Sequence, residues 1–298
     1  MATGRRPAGI LGGGLLVAAL LAGAAAAQTE PRRILVTLAD PLPDPLTAVE
    51  LDLRVAKKPA EVTRVYQPQE RPVQLALLID DSTGPEVANS LPELAAFLRS
   101  LPAGSEVMVA YLRRGNLDLA RSFTTDLQAA ASSLRGPSSN PDNAPNDLGQ
   151  LITDALDQFP DAPAARAQIL YVGGAVGQED PYNNVSLHRA IYHAQQRGIV
   201  VWVIHMGSVL EPVGPAPQPA AGEQFLHRLA GETGGTVSAL GLRPPTVGSY
   251  LDRLRALLNR QYLVEFTPPT DKNGQPLTGK LTMAVRGRKE VRLLHPAR

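Results

Sequence analysis

The stretch Leu75-Ala76-Leu77-Leu78-Ile79-Asp80-Asp81-Ser82-Thr83-Gly84 decides the fold. Five apolar residues in unbroken succession do not suit a strand with one wet face, which would alternate apolar with polar. They suit a strand buried on both faces, as in a parallel sheet covered by helices. The run stops at two carboxylates, a hydroxyl pair and a glycine, which is where such a sheet presents ligand-binding groups. Downstream, Leu91, Leu94, Ala95, Leu98 and Leu101 recur at helical spacing. Ser90 and Glu93 read as a capping box, with Pro92 tolerated in the first turn.

The same alternation continues along the chain. Glu106–Leu112 and Leu117–Phe123 read as strands, joined by a hairpin turn at Arg113-Arg114-Gly115-Asn116. Residues 126–134 and 147–159 read as helices around a polar loop at 137–147. Gln168–Val172 reads as a strand ending in Gly173-Gly174. Leu187–Arg197 is a helix with Gly198 as its C-cap, and Ile199–Ile204 is the most apolar strand. Helices at 224–230 and 247–259 bracket a short strand at 236–239. Strand and helix in regular succession predict an α/β fold with a doubly wound, mostly parallel, Rossmann-like sheet.

Outside this core the pattern is β. Arg33–Leu38, Val49–Val55 and Glu61–Tyr66 are strand-prone, the second alternating as V-E-L-D-L-R-V. Three strands with no helix between them predict an antiparallel unit. Tyr262–Thr267, Lys280–Val285 and Val291–Leu294 return to strands, and the two terminal β segments are expected to pack together beside the α/β domain. The expected division is 1–27, 28–71, 72–260 and 261–298.

The first of these reads as a secretory signal peptide. Arg5 and Arg6 precede an apolar run from Ile10 to Leu21, and Ala25 and Ala27 give an A-x-A pattern ahead of Gln28. That run is shorter than the ~20 residues of a spanning helix, so cleavage is favoured over an anchor, with a periplasmic or extracellular destination. The chain has 298 residues, no cysteine and a formal charge of +1. Without the leader, 27 basic and 28 acidic residues remain, a net of −1. That balance gives no reason to expect a nucleic-acid partner. Absence of cysteine excludes disulfides, thiolate nucleophiles and Cys-ligated zinc.

The strand ending in a D-x-S-x-S-like segment, followed by an amphipathic helix, resembles the von Willebrand factor type A domain over about residues 72–260. Phe123-Thr124-Thr125-Asp126, the segment LHRLAGETGG at 226–235, and Arg260-Gln261-Tyr262 through Pro268 extend the resemblance. Secreted bacterial type A-related proteins share this layout, with β segments before and after. The resemblance implies a metal-ion-dependent adhesion site built from an Asp, two Ser, a Thr and a second Asp, hard oxygen ligands suited to Mg²⁺. Asp80 and Ser82 match the first two positions. Gly84 stands at the second Ser, Gln150 at the Thr, and Gly173 at the second Asp. The expectation is therefore a remnant metal site at Asp80 and Ser82, with at most weak Mg²⁺ binding and no cofactor. A protein-binding surface is expected around Asp81, Thr83, Gly84, Gln150, Gly173 and Gly174. Asp154 reads as a helix-face carboxylate.

Two other classes stay open on the sequence. A hydrolase using Ser82 would need a base, and His205 at a strand end is the one histidine near the expected site. A purely structural envelope protein would show no concave site at the strand ends and a large apolar surface patch instead. No G-x-S-x-G elbow appears, and Gly173-Gly174-Ala175-Val176-Gly177 fits neither dinucleotide nor Walker phosphate loops. His188 and His193, five residues apart, fall on different helix faces and make poor metal partners.

Overall fold

The computed structural model describes residues 31–161, 165–174, 181–206, 221–239 and 247–298. The expected signal peptide lies outside them, as do Ala175–Gly177 and the proline-rich loop at 212–219. In chain order the elements are β1 (Arg32–Leu38), β2 (Leu51–Val55), β3 (Lys58–Pro59), β4 (Glu61–Tyr66), β5 (Val73–Asp80), α1 (Pro85–Asn89), α2 (Leu91–Arg99), β6 (Glu106–Arg113), β7 (Asn116–Thr124), α3 (Leu127–Ser132) and α4 (Leu148–Leu156). They continue with β8 (Arg166–Gly173), α5 (Val185–Arg197), β9 (Val200–His205), α6 (Ala221–Thr233), β10 (Val237–Ala239), α7 (Val247–Leu258), β11 (Gln261–Thr267), β12 (Leu281–Val285) and β13 (Leu293–Leu294).

The central sheet has the order β10-β9-β8-β5-β6-β7, parallel throughout except for β7, which closes a hairpin with β6. All eight residues of β5 are buried. Alternate side chains divide between two cores, as a pleated strand requires. Leu75, Leu77 and Ile79 pack with Val87 of α1, Leu94, Phe97 and Leu98 of α2, and Leu251 and Leu254 of α7. Ala76 and Leu78 face Leu151 and Ile152 of α4, Leu187 and Ile191 of α5, and Leu226 of α6. Helices thus cover both faces, as the continuous apolar run predicted. Chain order runs from β5 outward to β6 in one direction and through β8 to β9 in the other. The reversal falls between β5 and β8, and ligand crevices form at such a switch point.

The capping box expected at Ser90 and Glu93 is not formed. A separate short helix, α1, precedes α2, so the Ser90 hydroxyl donates back to the Glu86 carbonyl at 2.7 Å. The Glu93 carboxylate instead accepts from the Gly248 amide at 2.8 Å, capping the first turn of α7. Gly198 does cap α5, at φ 64°, and Arg114 and Gly115 make the β6–β7 turn with φ of 55° and 110°.

The N-terminal strands do not pair with one another as expected. β1 and β4 flank β11 on opposite sides, both antiparallel to it, in the sheet β13-β1-β11-β4. β2 pairs with β12 and the short β3. Every N-terminal strand except the two-residue β3 thus needs a C-terminal partner, which local sequence pattern cannot reveal. The two sheets enclose a third core of Ile34, Val36, Leu38, Leu51, Leu53, Tyr262, Val264 and Phe266. The opposite face of β1 and β11 turns toward the α/β unit, where Leu35 and Leu263 join the core that holds α7.

A polar network crosses this junction. Arg166, at the start of β8, is 1% exposed. Its guanidinium donates to the carbonyls of Arg71, Leu258 and Gln261. Leu258 is the last residue of α7, so the cation sits at the negative end of that helix. Burial lowers the Arg166 pKa to about 10, which leaves it charged at neutral pH. Beside it, Gln168 accepts from the Trp202 indole at 2.7 Å and donates to the Gln261 side chain at 2.6 Å. Gln261 in turn donates to the Thr37 hydroxyl at 3.2 Å. No helix among the described residues is long and apolar enough to cross a membrane.

Candidate functional site

The switch point between β5 and β8 carries Asp80. Its carboxylate receives three donors from its own chain, and a fourth group, a phenol, lies over it. The Ser82 amide and hydroxyl donate to Oδ1 at 2.9 and 2.6 Å. The Tyr171 hydroxyl and the Gly174 amide approach Oδ2 at 3.4 and 3.3 Å. The Tyr171 hydroxyl also lies 3.0 Å from the Gly174 carbonyl. A carboxylate offers about four lone-pair sites; Ser82 and the Gly174 amide take three of them, and the single Tyr171 proton is shared between Oδ2 and the nearer Gly174 carbonyl. Burial, together with the charge and hydrogen bond of Asp80, pushes the Tyr171 pKa well above 10, which keeps its proton in place as a donor.

Tyr171 also explains Gly173. The two residues sit on the same face of β8, and the phenol folds over the glycine. A Cβ at position 173 would lie 2.4 Å from the Tyr171 hydroxyl oxygen and 2.5 Å from Asp80 Cβ. An aspartate there, as the type A resemblance calls for, has no room. Gly84 differs: a Cβ there would meet the end of the exposed Glu86 side chain at 2.5 Å, which can swing away.

Gln150 lies in the first turn of α4, beside α5. Its Nε2 donates to Asp154 at 2.7 Å and its Oε1 accepts from Arg189 of α5 at 3.2 Å. Asp154 is a helix-face carboxylate, as read from the sequence, and its partner there is Gln150. The helices come this close because position 149 is glycine: a Cβ there would lie 2.6 Å from the Ser186 backbone. Asp147 and Asn184 cap α4 and α5 and share the Ser186 hydroxyl, at 2.6 and 2.8 Å.

Asp81, expected on the binding surface, is instead buried, with 1% exposure. Its carboxylate accepts from Arg135 at 2.6 Å, from the Ser138 amide at 3.1 Å and from Asn143 at 3.4 Å, while its carbonyl takes the Ser138 hydroxyl at 2.8 Å. Arg135 stacks on the Tyr111 ring at 3.8 Å, and the Tyr111 hydroxyl bonds both the amide and the carbonyl of Arg135. Asp81 therefore fastens the 135–143 loop across the end of β6. Thr83 is also largely enclosed, its hydroxyl donating to the Asp80 carbonyl at 2.7 Å. Ser82, Gly84, Gln150 and Gly174 remain partly exposed, whereas Gly173 is buried.

Burial alone would raise the Asp81 pKa. Hydrogen bonds from Arg135 and Ser138, with the Arg135 charge, outweigh it and hold the group below its ordinary 3.8. A carboxyl depressed in the folded state stabilises fully above its unfolded pKa and loses that contribution as pH falls through its folded value. Asp81→Asn is therefore expected to narrow its stability deficit against the wild type as pH falls from about 6 to about 3. Denaturant titrations at the two pH values check this, and a constant deficit would contradict it.

Ser82 has no imidazole partner. β9 lies two strands from β5, roughly 9–10 Å across the sheet, and His205 at its end is buried with Nε2 unpartnered. The pair a Ser82 hydrolase needs is not assembled. Among the described residues, no three His, Asp or Glu side chains cluster as metal ligands. Tyr171, Arg135, Ser138, Asn143 and Arg189 were not singled out from the sequence. Tyr171 reads there as one more core position of an apolar strand. The density of Ser, Asn and Asp at 138–147 was the one available signal for the loop.

No protein-family profile and no curated protein matches the chain. Solved structures similar to it include a conserved hypothetical protein, BatB, from Bacteroides thetaiotaomicron, at 13% identity and a TM-score of 0.45 over 62% of this chain and 98% of that one. The SpRpn10 VWA domain is similar at 12% identity and a TM-score of 0.44, over 61% of this chain and 95% of that one. Proximal thread matrix protein 1 from the mussel byssus, with a zinc-occupied MIDAS motif, is similar at 13% identity and 0.43, over 63% of this chain and 47% of that one. The α/β unit has the doubly wound, two-sided arrangement expected from the sequence. Strand order and two-sided helical cover carry that statement, since likenesses this distant bear neither on the chemistry of the site nor on its partners.

Proposed function

We propose that the chain is an exported, non-enzymatic protein-binding module whose strand-end surface works without a divalent cation. The observation that supports this reading is the Asp80 carboxylate held by the Ser82 amide and hydroxyl and by the Gly174 amide, with the Tyr171 hydroxyl lying over Oδ2. Mg²⁺ takes six oxygens, several of them waters, and a dedicated site adds carboxylate and hydroxyl side chains free to turn toward the ion. Here Gln150 is engaged by Asp154 and Arg189, and Gly173 supplies no side-chain oxygen. These residues do not fit the metal that the resemblance implies. The surface left for a partner is Ser82, Gly84, Gln150 and Gly174, with Arg189 beside them. Export is supported by the leader pattern at 1–27.

Capture from the native envelope fraction on the immobilised chain tests the reading. The same partner is expected in EDTA and in Mg²⁺, and Gln150→Arg with Ser82→Arg is expected to lose it. A partner retained only with Mg²⁺, or indifferent to the paired substitutions, contradicts the reading.

A further inference from the structure

A second concavity lies away from the strand ends. Where the end of α5 meets the start of β1 lies a solvent-open cavity of about 920 Å³. That is the size of a small-molecule site. Gly198 makes the approach: a Cβ on it would lie 3.2 Å from the Arg33 carbonyl. Ile34, Val55, Phe266 and Leu281, the rim of the β-sandwich core, give one wall of the cavity an apolar patch, while most of the remaining lining is polar or charged. Gly279, at φ 144°, keeps one wall free of side chain. Tyr192 of α5 also lines it and is 58% exposed.

The charge lining this space is unbalanced. Arg33 is paired with Glu265 at 2.7 Å, and Arg197 with Asp161 at 2.7 Å. Arg32 is half-buried in the lining, and among the described residues it has neither an ion pair nor a hydrogen bond. Of helix α5, which supplies the facing wall, Tyr192, Gln195, Gln196 and Arg197 line the space with no acid among them, and Arg298 adds a further guanidinium to the lining. A partly desolvated guanidinium without a counter-ion beside an apolar wall calls for an anion that carries apolar surface.

We propose that this cavity binds a carboxylate attached to an apolar body, with Arg32 receiving the carboxylate and Ile34, Phe266, Leu281 and Tyr192 receiving the body. The site is separate from the strand-end surface and does not depend on the reading given to it. The carboxylate could come from a free amphiphile or from the C-terminus of a peptide.

Calorimetric titration of the full chain tests it, with octanoate for the first source and a short peptide ending in an apolar residue with a free carboxylate for the second. Octylammonium and the peptide amide are the charge controls. At least one carboxylate is expected to saturate at or below about 1 mM, at least tenfold tighter than its control. Arg32→Glu is expected to weaken it by roughly tenfold or more, while Leu119→Ser, on distant β7, leaves it unchanged. Saturation by octanoate alone assigns an amphiphile, and by the peptide alone a chain terminus. Thermal melts establish that Arg32→Glu is folded, and Tyr192→Ala serves as the second variant if it is not. The proposal is overturned if neither carboxylate saturates, if the cationic or amide control binds equally, or if the folded cavity variant binds as the wild type does.

Discussion

Arg166→Leu is expected to cost about 3–5 kcal/mol of folding stability, on the scale of breaking a buried ionic contact. The substitution nearly conserves apolar volume but removes every donor from a closed pocket. The carbonyls of Arg71, Leu258 and Gln261 would be left facing leucine. Each buried acceptor stripped of its partner costs roughly 1–3 kcal/mol, and the end of α7 also loses its cation. Arg166→Lys is expected to recover part of the loss, since an ammonium keeps the charge but cannot fork to three carbonyls. The measurement is denaturant unfolding followed by Trp202 fluorescence. Trp202 is the chain's single tryptophan and bonds Gln168 in the adjoining network, so its emission reports on this junction. A loss below about 1 kcal/mol would show that the junction does not need the guanidinium.

The second large effect is at Gly173. Gly173→Ala is expected to cost about 2–3 kcal/mol, the range of overpacking in a filled core. Its Cβ would lie 2.5 Å from Asp80 Cβ, an atom fixed on the neighbouring strand, and 2.4 Å from a hydroxyl oxygen that is fully enclosed. Gly173→Asp should cost more, because it adds a carboxylate facing Asp80. Tyr171→Phe in the same chain is expected to relieve the alanine variant only in part, since the ring carbon carrying the hydroxyl also lies 2.6 Å away. By contrast Gly84→Ser should be nearly neutral, its obstacle being the mobile end of Glu86. Thermal melts of the four variants compare the two glycines directly. Equal effects at 84 and 173 would remove the steric reason for the missing aspartate.

The α/β unit was legible because periodicity is local. β5 declares its two buried faces in five consecutive residues, and α2, α5 and α7 declare one face each. The β sandwich was legible only as strands. Its pairings join Arg33 to Glu265 and Leu53 to Met283, and no local pattern encodes contacts between residues more than 200 positions apart. The misplaced capping box has the same origin, since Glu93 serves a helix that begins 154 residues later. At the site, Asp80 and Ser82 could be found because they end the decisive strand. Asp81 was misplaced because its partners come from the 135–143 loop, and a carboxylate with enough donors can be buried. Tyr171 was missed because alternation marks it as core, and its ring is indeed core; only the hydroxyl at its tip belongs to the site.

The most direct test of the central claim is calorimetric titration of the full chain with Mg²⁺ and Mn²⁺. With Asp80 held by Ser82, Tyr171 and Gly174, no saturable binding tighter than about 1 mM is expected for either ion. A tighter isotherm that disappears in Asp80→Asn would show that the carboxylate leaves those donors for a metal, and would contradict the account.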